Sequence, residues 1–157
     1  MPLSKLREKI TVIPQDPTMF SGTLKFNIDP TGKISETFII DLLKEAGLEN
    51  LLERHASQDK TKTGLDLEIT ENGSNLSSGE KQLVCICRAI LRRNKVIVLD
   101  EATANIDIIT EQKIQRLIKK EFNECTVITI AHRLQTIIDS DKVLVLGDGR
   151  VVEYDTP

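Results

Sequence analysis

The chain has 157 residues, enough for one domain of ordinary size that buries roughly 70% of its unfolded surface. Its 21 basic and 24 acidic residues leave a net charge of −3, which creates no general field for anionic lipid or nucleic acid, so no nucleic acid is expected as a partner. The longest apolar runs, such as Val96 to Leu99, fall far short of the roughly 20 residues a membrane-spanning helix needs, and the first residues carry no apolar leader.

The first third is punctuated by Pro14, Pro17, Gly22, Pro30 and Gly32. KITVIPQDPTMFSGTLKFNID therefore reads as short extended and turn pieces, with a strand at Ile10, Val12 and Ile13. From Ser35 the pattern turns helical: Ile39, Leu42, Leu43 and Ala46 fall at i, i+3, i+4 and i+7, with Gly47 as the stop. A second short helix follows through Leu48, Leu51 and Leu52. Residues 56–75 are polar and glycine-bearing, which predicts a surface loop. Leu83, Ile86, Cys87, Ile90 and Leu91 then mark one stripe of a helix running to about Arg93.

KVIVLD is a continuous apolar run of the kind expected for a strand buried on both faces. Residues 111–122 form an amphipathic helix through Ile114, Leu117, Ile118 and Phe122. A second buried strand, TVITIAH, and a short helix near 133–138 come next. KVLVLGDGRVVEYD reads as two strands joined through Gly147-Asp148-Gly149, a hairpin signal. The alternation of strand and helix predicts an α/β fold on a parallel sheet. Cys85, Cys87 and Cys125 lie among apolar neighbours without CxxC spacing, so buried reduced thiols are expected rather than a disulfide or a metal site.

In open α/β sheets ligands collect at the carboxyl ends of the strands, where loops and helix N-termini converge. Asp100, Glu101 and His132 all fall at such ends. One carboxylate after a strand of aliphatics can hold a magnesium ion on a nucleotide, and its neighbour can orient or deprotonate a water. The same pair is compatible with a solvated strand cap, and His132 with a hydrogen-bonded structural histidine. LSSGEKQ, residues 76–82, opens the long helix with bare N–H groups that favour an anion, and Gly79 allows close approach to the backbone. Ser77 with Glu80 three residues on also forms a capping box, which needs no ligand.

Pro14-Gln15-Asp16, LSSGEKQ, VIVLDE, ATANID and His132, in that order and at these separations, resemble the Q-loop, signature, Walker B, D-loop and H-loop of an ABC transporter nucleotide-binding domain. LREKITVIPQDPTMFSGTLKFNIDP resembles more narrowly the second such domain of the multidrug-resistance-associated (C) subfamily. The resemblance implies a P-loop NTPase-like parallel sheet, incomplete here, with a helical subdomain at about 33–93 and a C-terminal β-hairpin. It implies ATP and Mg²⁺ as ligands. Glu101 is then the general base, Asp100 belongs to the magnesium shell, and Gln15 senses magnesium and water while coupling to the transmembrane domains. His132 is implied at the γ-phosphate. Ser77, Ser78, Gly79 and Glu80 are implied to touch ATP held by a second nucleotide-binding domain in a head-to-tail sandwich, and Asp107, in the D-loop, is implied as a further nucleotide-binding residue. Two positions depart from the family pattern: Ser78 stands where it prefers Gly, and Glu80 where it prefers Gln. The added bulk and charge predict a signature that promotes hydrolysis poorly.

The phosphate cradle Gly-x-x-x-x-Gly-Lys-[Ser/Thr] does not occur among these residues; NIDPTGKI has Asn27 at the first glycine position and Ile34 at the hydroxyl position. The expectation is therefore the C-terminal portion of a longer transporter on the cytoplasmic face of a membrane, whose sheet at 96–100 and 126–131 leaves an apolar edge and face uncovered. The alternative is a non-hydrolytic module that lends its signature to a partner domain. A chromosome-maintenance or DNA-repair ATPase would share the signature and Walker B, but the sequence has no heptads and no basic face.

Overall fold

The structure, a computed structural model, describes residues 2–56, 63–102, 106–131 and 137–157. His132 and most of the helix expected near 133–138 lie outside the described residues. In chain order the elements are α1 (Leu3–Lys9), β1 (Ile10–Ile13), β2 (Gly22–Thr23), α2 (Leu24–Ile28), α3 (Glu36–Glu45), α4 (Glu49–Ala56), β3 (Glu68–Ile69), α5 (Ser78–Arg92), β4 (Val96–Asp100), α6 (Ile108–Glu121), β5 (Thr126–Ile130), β6 (Val143–Gly147) and β7 (Arg150–Asp155).

Three of these strands form a parallel sheet in the order β1-β4-β5. Ile10 lies opposite Val96 and Ile13 opposite Leu99, while Val96 lies opposite Thr126 and Asp100 opposite Ile130. Because all three run the same way, Pro14-Gln15 and Asp100-Glu101 emerge on one edge of the sheet. Ile97 and Leu99 of β4 are buried in a single apolar cluster that includes Ile86, Cys87, Ile114 and Leu117. Each such aliphatic contributes about 1.5–3 kcal/mol by leaving water, enough for a handful of them to fix where the site-bearing strand sits.

The predicted helix after Ser35 is present as α3, and its end shows why Gly47 is needed there. Gly47 has φ 79°. The Leu48 N–H bonds the Leu43 carbonyl at 2.9 Å and the Gly47 N–H bonds the Lys44 carbonyl at 2.8 Å, the paired C-terminal bonds that require a left-handed residue between them. At the hairpin, Asp148 (φ 48°) and Gly149 (φ 73°) both adopt positive φ, giving the tight two-residue turn between β6 and β7.

Four expectations change. Residues 56–75 are not all loop: β3 pairs antiparallel with β2, Gly22 opposite Ile69, and both Leu65 and Ile69 are buried. The segment after Phe20 is not all extended, since the Thr23 hydroxyl accepts from the Phe26 N–H at 3.1 Å and starts α2. α6 begins at Ile108, earlier than its apolar stripe, because Asp107 caps it while Ile108 and Ile109 remain exposed. TVITI is a strand but is not buried: Val127, Ile128 and Ile130 of β5 are exposed. β5 has a ladder partner on one side, β4, so only one of its two edges is covered among the described residues.

Cys85 and Cys87 are buried and reduced. Burial pushes the Cys87 thiol up to about 12, with the neighbouring Cys85 adding to the rise. The unfolded thiol ionises near 9.0, so its contribution to folding is full below pH 9 and is lost as pH rises from 9 towards 12. Urea unfolding at pH 8 and at pH 11 is expected to show an alkaline loss of stability that is smaller in Cys87→Ala; equal losses would show that this thiol does not titrate in the transition.

Candidate active site

Gln15 and Glu101, 86 residues apart in sequence, meet at the carboxyl edge of the sheet, where the Gln15 Nε2–H donates to Glu101 Oε2 at 3.2 Å. Gln15 is exposed on the loop after β1, and Glu101 is half-buried directly after β4. Glu101 has φ 45°, a left-handed conformation that costs a non-glycine residue about 1–2 kcal/mol. Its N–H nevertheless bonds the Ile130 carbonyl at 3.0 Å and continues the ladder to β5. Ladder bond and turned backbone together carry its side chain to Gln15. Strain at such a position is the kind that sites keep because the surrounding structure holds it. Asp100, the last residue of β4, is half-buried beside it.

The signature segment is built by a different device. Ser77 caps α5: the Glu80 N–H donates to Ser77 Oγ at 3.2 Å, and Glu80 Oε2 accepts from the Ser77 N–H at 2.8 Å and from its hydroxyl at 3.0 Å. The capping-box reading of these residues is therefore correct as local structure. The other oxygen, Glu80 Oε1, pairs with the Arg54 guanidinium of α4. Ser77 and Ser78 are exposed while Gly79 is buried. A Cβ on Gly79 would stand 3.0 Å from Thr110 Cγ2 and 3.8 Å from Ile106 Cγ2, so the close approach visible at this glycine is that of the first turn of α6 and the segment leading into it. Asp107 caps α6, is exposed, and accepts from the Thr110 N–H at 3.0 Å. The Thr110 backbone and hydroxyl hold its carboxyl below the usual range.

Two polar residues of α5 tie these parts together. Gln82 is fully buried, and its Nε2–H donates to the Pro14 carbonyl at 3.4 Å, joining α5 to the residue before Gln15. Arg88, six residues further along α5, donates to the Thr18 carbonyl at 2.6 Å and to Asn27 Oδ1 at 2.8 Å. It also reaches the Asn27 carbonyl and lies over the Phe20 ring at 5.8 Å. Burial lowers the Arg88 pKa, and Cys85 opposes the shift. Sequence reasoning singled out none of Gln82, Arg88, Thr110 and Arg54. Gln82 and Arg88 did carry a signal, being polar residues beside the apolar stripe of α5, where a polar side chain needs a buried partner.

Among the described residues no cluster of three or more His, Cys, Asp and Glu side chains could hold a metal alone. What the edge offers is oxygen donors from Asp100, Glu101 and Gln15, a set suited to a hard cation that completes its shell with phosphate and water. A model of the ABC transporter family matches residues 2–104. The chain belongs to the ABC transporter family. Rat ATP-binding cassette sub-family C member 2 is 50% identical over 155 residues, 99% of this chain and 10% of the relative. Human sub-family C member 4 is 46% identical over 155 residues, again 99% of this chain and 11% of the relative. Among solved structures, a bacterial Atm1-family ABC exporter with ATP bound superposes with TM-score 0.83 at 35% identity, covering 98% of this chain and 26% of that one. The chain thus spans about a tenth of the length of the sub-family C proteins it matches. Its parallel sheet, helices and C-terminal hairpin are those of an ABC nucleotide-binding domain. Among the described residues no helix is long and apolar enough to cross a membrane.

Proposed function

We propose that this ABC transporter domain is part of the ATP-hydrolysing motor of an exporter, working against a second nucleotide-binding domain and beneath transmembrane domains at the cytoplasmic face of a membrane. The observation that carries the reading is the Gln15–Glu101 hydrogen bond, which joins the loop after β1 to the acid after β4 at the edge where ligands of parallel sheets collect. Glu101 is the general base that accepts the proton of the attacking water. Gln15 uses its N–H on Glu101 and thereby aims its carbonyl oxygen at the same space, where it orients water and, with Asp100, meets the cation. A bound magnesium ion supplies neutralisation of phosphate charge. The helical subdomain, at about 33–93, carries Ser77, Ser78, Gly79 and Glu80 to ATP on the partner domain. Asp107 lines the seam between the domains, and His132 contacts the γ-phosphate. The exposed Phe20 and Phe26, on the segment that Arg88 anchors, fit a role in coupling to the transmembrane domains.

A second reading, a module that lends its signature without hydrolysing, is favoured by one observation: the capped start of α5 is complete within this chain. Because no Gly-x-x-x-x-Gly-Lys-[Ser/Thr] segment occurs among the 157 residues, the isolated chain is expected to bind Mg-ATP weakly and show no turnover. Steady-state assays of the chain alone and of the assembled transporter separate the cases. Turnover by the chain alone that disappears in Glu101→Gln would refute the need for further residues. Stimulation of a partner domain by a chain insensitive to Glu101→Gln would favour the second reading.

A further inference from the structure

The signature carries a glutamate where its family prefers an amide, which places a negative charge at the start of the helix meant to face phosphate. The structure shows where that charge goes. Glu80 Oε2 is taken by the Ser77 N–H and hydroxyl, at 2.8 and 3.0 Å, and Glu80 Oε1 by the Arg54 guanidinium. The Glu80 side chain is only 16% exposed, whereas that of Arg54 is 49% exposed. The cation therefore lies on the solvent side of the pair. A phosphate approaching Ser77 and Ser78 meets a half-exposed guanidinium and a largely hidden carboxylate rather than a bare anion.

We propose that Arg54 is a positioning residue for the composite nucleotide site, acting through Glu80: it neutralises the signature carboxylate and holds it on its own side of the helix cap. The inference rests on the ATPase reading above and deepens it. Two consequences follow from the geometry. Without Arg54, the carboxylate keeps its full charge within the first turn of α5 and cancels part of the attraction that the helix N-terminus exerts on an anion. The same carboxylate also holds the Ser77 hydroxyl proton, at 3.0 Å, more tightly when no cation shares its charge. Ser77 can offer that proton to phosphate only by releasing Glu80. Arg54 thus makes a glutamate tolerable at a position where its charge would otherwise oppose nucleotide. It does so from α4, 26 residues before Glu80, outside the signature motif.

The test uses the assembled transporter and measures turnover, the KM for Mg-ATP and melting temperature for four proteins: parent, Arg54→Gln, Glu80→Gln and the double variant. Arg54→Gln is expected to lower kcat roughly tenfold, the scale of one uncompensated charge near phosphate at the protein surface. The KM is expected to stay within about twofold, because the signature acts on nucleotide already held by the other domain. The melting temperature should move little, since the Arg54 side of the pair is half exposed and Glu80 keeps its Ser77 hydrogen bonds. The discriminating result is the double variant. With Glu80→Gln in place there is no carboxylate charge left to neutralise, so adding Arg54→Gln should cost clearly less than it does in the parent. A parent rate in Arg54→Gln, or a loss equally large in the Glu80→Gln background, overturns the proposal. A parent without Glu101-dependent turnover overturns the ATPase reading instead. ATP-driven association of the two nucleotide-binding domains then decides for Arg54 in the same four proteins: a loss on Arg54→Gln that Glu80→Gln restores supports it, and unchanged association overturns it.

Discussion

Glu101→Gln in the assembled transporter is expected to cut turnover by about 10²–10⁴-fold, the usual cost of removing a general base, while leaving Mg-ATP binding nearly intact. The amide is the same size and still accepts the Gln15 N–H, so the 3.2 Å contact and the turned backbone survive. What is lost is proton acceptance. Asp100→Asn should separate from it, weakening Mg-nucleotide binding itself, because a hard cation held by few carboxylates loses one of its charges. Trapping of nucleotide by Glu101→Gln, against reduced capture by Asp100→Asn, is the pair of measurements to make. Parent-like hydrolysis in Glu101→Gln with normal binding in Asp100→Asn would leave the two acids as a solvated strand end.

The distinction matters because their positions along β4 differ by one residue and their environments differ more. Asp100 still belongs to the strand, opposite Ile130 in the register, and cannot turn without breaking the ladder. Glu101 keeps one ladder bond yet has left the strand's conformation, at φ 45°. On the proposed roles Asp100 is a fixed ligand and Glu101 a turned base, an arrangement that lets adjacent residues act differently. The apolar run VIVL announces the strand in the sequence, and the acids announce its end. The positive φ of Glu101 has no sequence signal of its own, since it arises where a strand held by β1 and β5 must leave the sheet.

The same division runs through the rest of the fold. The parallel strands, the helix stop at Gly47 and the hairpin at Asp148-Gly149 are legible because each follows from local periodicity or from a glycine that the backbone demands. The short β3 strand was hidden although Leu65, Leu67 and Ile69 alternate, since that alternation lies inside a polar stretch and is only five residues long. β5 looks like a buried strand because Thr126–Ile130 is rich in β-branched residues, and composition cannot say how many neighbours a strand has. Side-chain ties are harder still. Arg54 to Glu80, Gln82 to Pro14 and Arg88 to Asn27 join residues 26, 68 and 61 positions apart, and no local pattern records them.

Arg88→Ala is expected to cost about 2–4 kcal/mol, because it removes several charge-assisted bonds at once and leaves the part-buried Asn27 carbonyl without its donor. The acceptors are the Thr18 carbonyl at 2.6 Å, Asn27 Oδ1 at 2.8 Å and the Asn27 carbonyl. Asn27 Oδ1 keeps the Phe20 N–H at 2.9 Å, so the Asn27 backbone carbonyl is the part-buried acceptor that loses its donor. For a chain of this size the melting temperature should fall by roughly 5–15 °C. Arg88→Lys keeps a positive charge but replaces the fork by a single point of donation, so it should recover only part of the loss. The effect should reach the site as well. Arg88 anchors Thr18, three residues beyond Gln15, to the same helix that Gln82 fastens to Pro14, so the loop carrying Gln15 is pinned on both sides by α5. With one pin gone, Gln15 spends less time on Glu101, and turnover in the assembled transporter should fall by more than nucleotide binding does. Thermal melts of parent, Arg88→Lys and Arg88→Ala, followed by kcat and KM on the variants that remain folded, test both halves. A parent-like melt in Arg88→Ala would show that the loop is held by its apolar contacts through Met19 and not by the guanidinium.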